Sequence, residues 1–131
     1  MRYALVTSVC FLLQAAACKH TTPPAPRLDG TYTGTFQRQY GGSGRTSQVS
    51  LVFSNGKWSG TGQTPKYPGL CSGTYEISGN NKINFTNSCI WTAEFDWSLI
   101  LAHEYELKIT GNNVEMSRDN PPYRDVYQLA Q

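Results

Sequence analysis

The chain is poor in the residues that most catalytic sites require. It has two histidines, His20 and His103, and charged residues make up only 15% of the sequence. A base needs a nucleophile within hydrogen-bond reach and a third group to orient it. His20 falls in a proline-rich stretch and His103 in an expected turn, so neither can assemble such a set. Glu94 and Asp96 stand two apart on one expected strand face, but that face reads as solvated, as do Glu104 and Glu106. No catalytic residue is assigned, and an enzyme ranks behind the binding functions considered below. Long apolar runs are missing too: none reaches the roughly 20 residues of a membrane-spanning helix. No window carries capped apolar residues at sustained helical spacing, so any helix should be short. The net charge is +2 with the signs interspersed, which lacks the basic stripe of a nucleic-acid surface. Cysteine is limited to Cys10, Cys18, Cys71 and Cys89. A structural zinc takes four ligands at short spacing, so no metal and no cofactor is expected.

What is present starts with a leader. Arg2 supplies a positive charge, and Tyr3 to Ala17 form an apolar stretch interrupted only by Thr7, Ser8 and Gln14. Charge, apolar run and small residues follow one another in the order that export processing uses. The stretch Leu12-Leu13-Gln14-Ala15-Ala16-Ala17-Cys18-Lys19 resembles a bacterial lipobox, with Ala15 where leucine is usual. The resemblance implies that residues 1–17 are a signal peptide and that Cys18 becomes the acylated first residue of the mature protein. It also implies a lipid anchor in a bacterial membrane, expected to be the outer one, with the domain in the periplasm or at the cell surface. Residues 18–27 carry three prolines and no aliphatic side chain larger than alanine. Such a segment cannot bury enough surface to offset its ordering entropy and reads as an extended, disordered spacer.

Residues 28–131 are expected to form one all-β domain. Tyr, Phe, Trp, Thr, Val and Ile alternate with polar residues, and turn signals recur at short intervals. Inward residues must face inward residues across each hairpin, which sets the register. Asn55-Gly56 is a two-residue hairpin signal that places Phe53 opposite Trp58 and Leu51 opposite Gly60. A three-residue loop at Gly79-Asn80-Asn81, with Asn81 left-handed, pairs Ile77 with Ile83 and Tyr75 with Phe85, and brings Cys71 opposite Cys89. With Cys10 lost in the leader and Cys18 acylated, an exported domain can oxidise that pair to a disulfide. Trp91 to Leu99 alternate as a further long strand turning at Leu101-Ala102-His103, with Trp97 meeting Leu107 and Asp96 meeting Lys108. Gly111-Asn112 pairs Ile109 with Val114 and Lys108 with Glu115, which extends an outer charge ladder from Asp96. Pro121-Pro122 cannot take the positive φ of a primed turn, so a longer connection is expected before the last strand, Tyr123 to Ala130.

Eight or nine strands in hairpin order with one aromatic face predict an antiparallel up-and-down meander closing into a barrel. A β-sandwich is the second choice. The opening Leu28-Asp29-Gly30-Thr31-Tyr32-Thr33-Gly34-Thr35-Phe36 and the closing Tyr127-Gln128-Leu129 resemble the small lipocalin-like or calycin-type barrels of bacterial lipoproteins. Barrels of this kind often bind apolar small molecules or partner proteins, and the resemblance implies no particular ligand. The aromatic face could line a cavity or fill the core, and Gly34, Gly60 and Gly73 leave inward space for a ligand or for bulky neighbours. Loops on a rigid scaffold concentrate binding residues, which makes Tyr40, Arg45, Lys66, Tyr67 and Trp91 the candidate ligand-binding residues. They should share one end of the barrel with Gly111-Asn112, opposite the tight turns where the spacer joins. The expected function is binding of a small apolar or aromatic ligand in or at the mouth of the barrel. The alternative is a protein-interaction module, an inhibitor or assembly factor, on a filled barrel. A monomer is expected.

Overall fold

A computed structural model describes residues 27–131 other than Ala93, so the lipidation assigned to Cys18 and the leader lie outside the described residues. Eight antiparallel strands run up and down and close into a barrel. They are β1 (Gly30–Gln39), β2 (Thr46–Ser54), β3 (Lys57–Gly62), β4 (Ser72–Ser78), β5 (Lys82–Asn87), β6 (His103–Thr110), β7 (Asn113–Asn120) and β8 (Tyr123–Ala130). The period-two pattern produces this directly: alternate residues such as Tyr32, Phe36, Leu51, Phe53, Trp58, Ile83, Phe85, Tyr105, Met116 and Tyr127 are buried, and the residues between them face water.

The short turns hold their expected register. Asn55 and Gly56 both take positive φ, giving Phe53 opposite Trp58 and Leu51 opposite Gly60. The Gly111 turn pairs Ile109 with Val114 and Lys108 with Glu115. Tyr75 faces Phe85 and Ile77 faces Ile83, and the Cys71–Cys89 disulfide follows on that register. In this loop the left-handed residues are Gly79 and Asn80 rather than Asn81.

Two expectations fail. Among the described residues no strand runs through Trp91 to Leu99: those between 88 and 102 are irregular apart from a 3-10 turn at Trp97–Leu99, and β5 pairs directly with β6 through Ile83–Tyr105. Asp96 caps the 3-10 turn by accepting from the Ser98 N–H at 2.9 Å, and it is drawn to Arg38 instead of Lys108. Tertiary pairing thus overrides alternation, and the outer ladder shrinks to Lys108 and Glu115. The second failure is Pro121-Pro122, which is the two-residue turn itself, with Asn120 opposite Tyr123. A cis bond between the prolines makes it a turn of the type that contains cis-proline and needs no positive φ.

Losing one strand changes which end a turn occupies. The Gly111-Asn112 turn joins Asn55-Gly56 and Gly79–Asn81 at the end where the chain enters β1, contrary to its expected place. Pro121-Pro122 takes that place, beside the connections 40–45, 63–71 and 88–102.

Side chains fill the interior. Edge-to-face contacts run from Tyr32–Phe53 and Phe53–Tyr75 through Trp58–Phe85 and Phe85–Tyr105 to Tyr105–Tyr127, with ring centroids 5.1–5.9 Å apart, the spacing such pairs favour. The inward glycines serve neighbours, not a ligand. A Cβ at Gly34 or Gly73 would collide with the carbonyl oxygens of Gln128 or Thr86, and one at Gly60 would meet Leu51 Cδ2 at 2.5 Å.

Candidate functional site

The long-loop end begins where the apolar stack stops. Inward alternation in β1 runs Tyr32, Gly34, Phe36 and then Arg38, and in β8 it runs Leu129, Tyr127 and then Asp125. Closure of the barrel sets Arg38 opposite Asp125. The guanidinium grips this carboxylate with both arms, Nε to Oδ1 at 2.7 Å and Nη2 to Oδ2 at 2.8 Å, and Asp125 is 1% exposed. The other face of Arg38 reaches the 88–102 connection. Nη1 donates to Asp96 Oδ2 and Ser98 Oγ, both at 2.9 Å, and Nη2 donates to the Ser98 carbonyl at 3.0 Å. The Tyr123 ring lies 5.0 Å from the guanidinium carbon, a cation–π distance.

These contacts shift the ionisation of the groups involved. The hydrogen bond to Asp125 pushes the Arg38 guanidinium further up. The Ser98 hydroxyl leads the causes that hold Asp96 below the ordinary carboxylate range. Burial pushes the Tyr105 phenol up to about 12 and raises Tyr127 well above the usual tyrosine value.

Two connections close over this polar layer. Gly69 and Ile100 form a parallel bridge, with the Gly69 N–H donating to the Leu99 carbonyl and the Leu101 N–H to the Gly69 carbonyl. Leu101 drops into the core at 0% exposure. Beside this closure, between the disulfide and the 3-10 turn, lies a cleft of about 470 Å³ walled by Ile90, Trp91, Trp97, Ile100, His103 and Arg118. Ile90 is 99% exposed and Trp97 55%. A second cleft of about the same volume lies on the outer wall, but both Lys108 and Glu115 line it and their charges offset.

The candidate ligand-binding residues all fall at this end and divide into three groups. Arg45 lies over the Tyr67 ring at 5.1 Å, and the Tyr67 hydroxyl donates to the Arg45 carbonyl at 2.8 Å. Tyr67 also packs edge-on against Phe36, so it stitches the 63–71 connection to the core. Lys66 lies over Phe95 at 5.2 Å, and Phe95 stacks on Trp91 at 5.4 Å. Tyr40 stands apart with Tyr123. Of the five, only Trp91 lines the loop-end cleft. Sequence reasoning missed Arg38, Asp125, Arg118, Ile90 and Trp97. The first two left a signal: opposite charges on the inward faces of the first and last strands, which a closed meander must bring together. Among the described residues, no three His, Cys, Asp or Glu side chains cluster to hold a metal ion.

Comparison with known proteins gives no match: no family model, no curated protein and no solved structure matches this chain.

Proposed function

We propose that the chain is a lipid-anchored envelope protein that binds a small apolar or aromatic molecule in the loop-end cleft, outside its filled barrel. The observation that carries this reading is the cleft itself. It has the volume of a small-ligand pocket, which runs about 300–1,000 Å³. Its rim keeps Ile90 and Trp97 in water, and Ile90, at 99% exposure, is more open than Tyr40, Val52, Ile109 or Tyr123, the other large apolar residues exposed among the described residues. The disulfide fixes one wall at Cys89, and Arg38 fixes the other through Ser98. Preorganised walls reduce the ordering cost of binding.

The leader ending at Ala15-Ala16-Ala17-Cys18 supports the anchor. Two or more acyl chains make attachment stable where one is marginal. The spacer joins β1 at the tight-turn end, which points the cleft away from the membrane. Cys18→Ala should release the protein from the membrane fraction or leave it unprocessed; unchanged fractionation and mass would reject the anchor.

The binding reading is tested by mass spectrometry of small molecules that leave the purified protein on denaturation. A bound molecule should be recovered from the native chain and lost from Trp97→Ala, and equal recovery from both would rule the cleft out. A second reading, a partner protein docking on the same rim, is favoured by the exposed Ile90 and Trp97 over a solid core. Crosslinking from position 90 to a single envelope protein, with no small molecule recovered, would establish it instead.

A further inference from the structure

We infer that the molecule held in the loop-end cleft is an organic anion, an aromatic or branched apolar carboxylate, with Arg118 as its counter-charge. This rests on the small-molecule reading of the cleft and deepens it.

The argument starts from strand alternation. Val114 and Met116 are buried inward residues of β7, and Arg118 is the next inward position, half-buried at the end of the strand. Its Nη1 donates to the Ala102 carbonyl at 3.1 Å, and its guanidinium carbon lies 5.9 Å from the Tyr105 ring centre. Both partners are neutral. Among the described residues no carboxylate comes within salt-bridge distance of Arg118. Asp125 stands directly opposite Arg118 across the β7–β8 pair, but both of its oxygens are held by Arg38, and Arg38 also takes Asp96. No aspartate or glutamate lines the cleft. A partly desolvated cation without a counter-ion is costly, and the planar guanidinium fork matches an oxyanion such as a carboxylate with two parallel hydrogen bonds.

The remaining polar groups of the cleft lean the same way. Two of its side-chain acceptors are occupied: Asn87 Oδ1 accepts from the Cys89 N–H at 3.0 Å, and Ser98 Oγ accepts from Arg38. A donor, by contrast, is spare. Trp91 Nε1 is buried and has no hydrogen-bond partner among the described residues, an arrangement that native interiors seldom leave unexplained. A cleft with spare donors, one unpaired cation and two indole walls suits an apolar body carrying an anionic head.

The test titrates the full-length chain, held in detergent, with indole-3-acetate and with its neutral analogue indole-3-acetamide, and follows the indole N–H signals of Trp58, Trp91 and Trp97 by NMR. Indole-3-acetate should move the Trp91 and Trp97 signals and leave Trp58, which donates to the Thr86 carbonyl, in place. It should bind at least tenfold more tightly than the amide. Arg118→Gln should abolish the preference while keeping the amide affinity within about twofold, and Arg118→Lys should retain part of it, since lysine keeps the charge but not the fork. Raising the salt concentration should weaken the acid and leave the amide unchanged, a readout that needs no variant. Equal affinities for acid and amide in the native chain would overturn the anion inference and leave the cleft standing as an apolar site. Failure of both probes to move Trp91 or Trp97 would overturn the inference together with the small-molecule reading.

Discussion

The two ends of the barrel are closed by different physics. At the tight-turn end, Leu28 plugs the opening at 1% exposure, and the Tyr75 hydroxyl donates to its carbonyl. Around it Tyr32, Phe53, Tyr75 and Phe85 interlock as rings. At the loop end, Leu101 and Pro68 are buried as plugs, but a charged layer of Arg38 and Asp125 lies between the aromatic stack and the connections above it. The apolar end needs only shape and volume. The charged end needs every partner in place, because a buried charge that loses its counter-ion keeps its desolvation cost. The end that carries the candidate site is therefore the one whose closure depends on specific pairing.

Removing one partner tests this contrast most severely. Asp125→Ala leaves Arg38 buried without its main counter-charge and should cost about 3–5 kcal/mol, read as a shift in the urea midpoint. A double replacement, Arg38→Met with Asp125→Leu, should recover most of that loss and still free the 96–98 segment. If the double variant is no more stable than Asp125→Ala, charge pairing is not what closes this end. At the opposite end Phe53→Ala should cost a similar 3–5 kcal/mol, as cavity formation at a buried aromatic does. Here the cleft should survive: amide exchange of residues 96–101 should stay protected in the folded variant, and loss of that protection would mean that the two ends are coupled.

The disulfide sharpens the comparison further. The β4–β5 hairpin is tied to its neighbours by the two shortest ladders, three register pairs to β3 and four to β6, and the Cys71–Cys89 link closes its loop-end base. For a sequence separation of 18, chain entropy makes the link worth roughly 3 kcal/mol. Cys71→Ser with Cys89→Ser should lower stability by about that amount and loosen the cleft wall at Ile90 first. Uniform loosening of both ends would argue against a local role.

Ionisation gives the smaller effects. The raised Tyr105 value, about 12, means that the folded state holds its proton longer than the unfolded chain does. Its contribution is complete below the ordinary tyrosine pKa of about 10 and is lost as pH rises towards 12. Tyr105→Phe should flatten stability over that alkaline interval, and an unchanged slope would assign the effect to Tyr127. Asp96 runs in the opposite sense. Its lowered value stabilises the fold above the ordinary carboxylate range and is lost as pH falls through it. With the side chain 52% exposed, solvent screening keeps this below about 1 kcal/mol. Asp96→Asn should leave the urea midpoint almost unmoved while increasing exchange at Trp97–Leu99, and that acid sensitivity should vanish in the variant.

By itself the sequence determined what depends on neighbours along the chain. Asn55-Gly56 and the Gly111 turn specify hairpins because their φ demands are local, and the alternation between them settles which side chains fill the barrel. Counting outward from such turns carried the register as far as Cys71 and Cys89. Only the tertiary structure decided the course of residues 88–102, where alternation pointed to a strand, and the turn at Pro121-Pro122. It also decided the loop-end layer, since Arg38 and Asp125 lie 87 residues apart and meet only when β1 closes on β8. The physical reason is range. Turn conformation and side-chain period act over two to four residues, whereas the pairing of a buried charge and the docking of an irregular segment acquire their energy only after distant strands have been brought together.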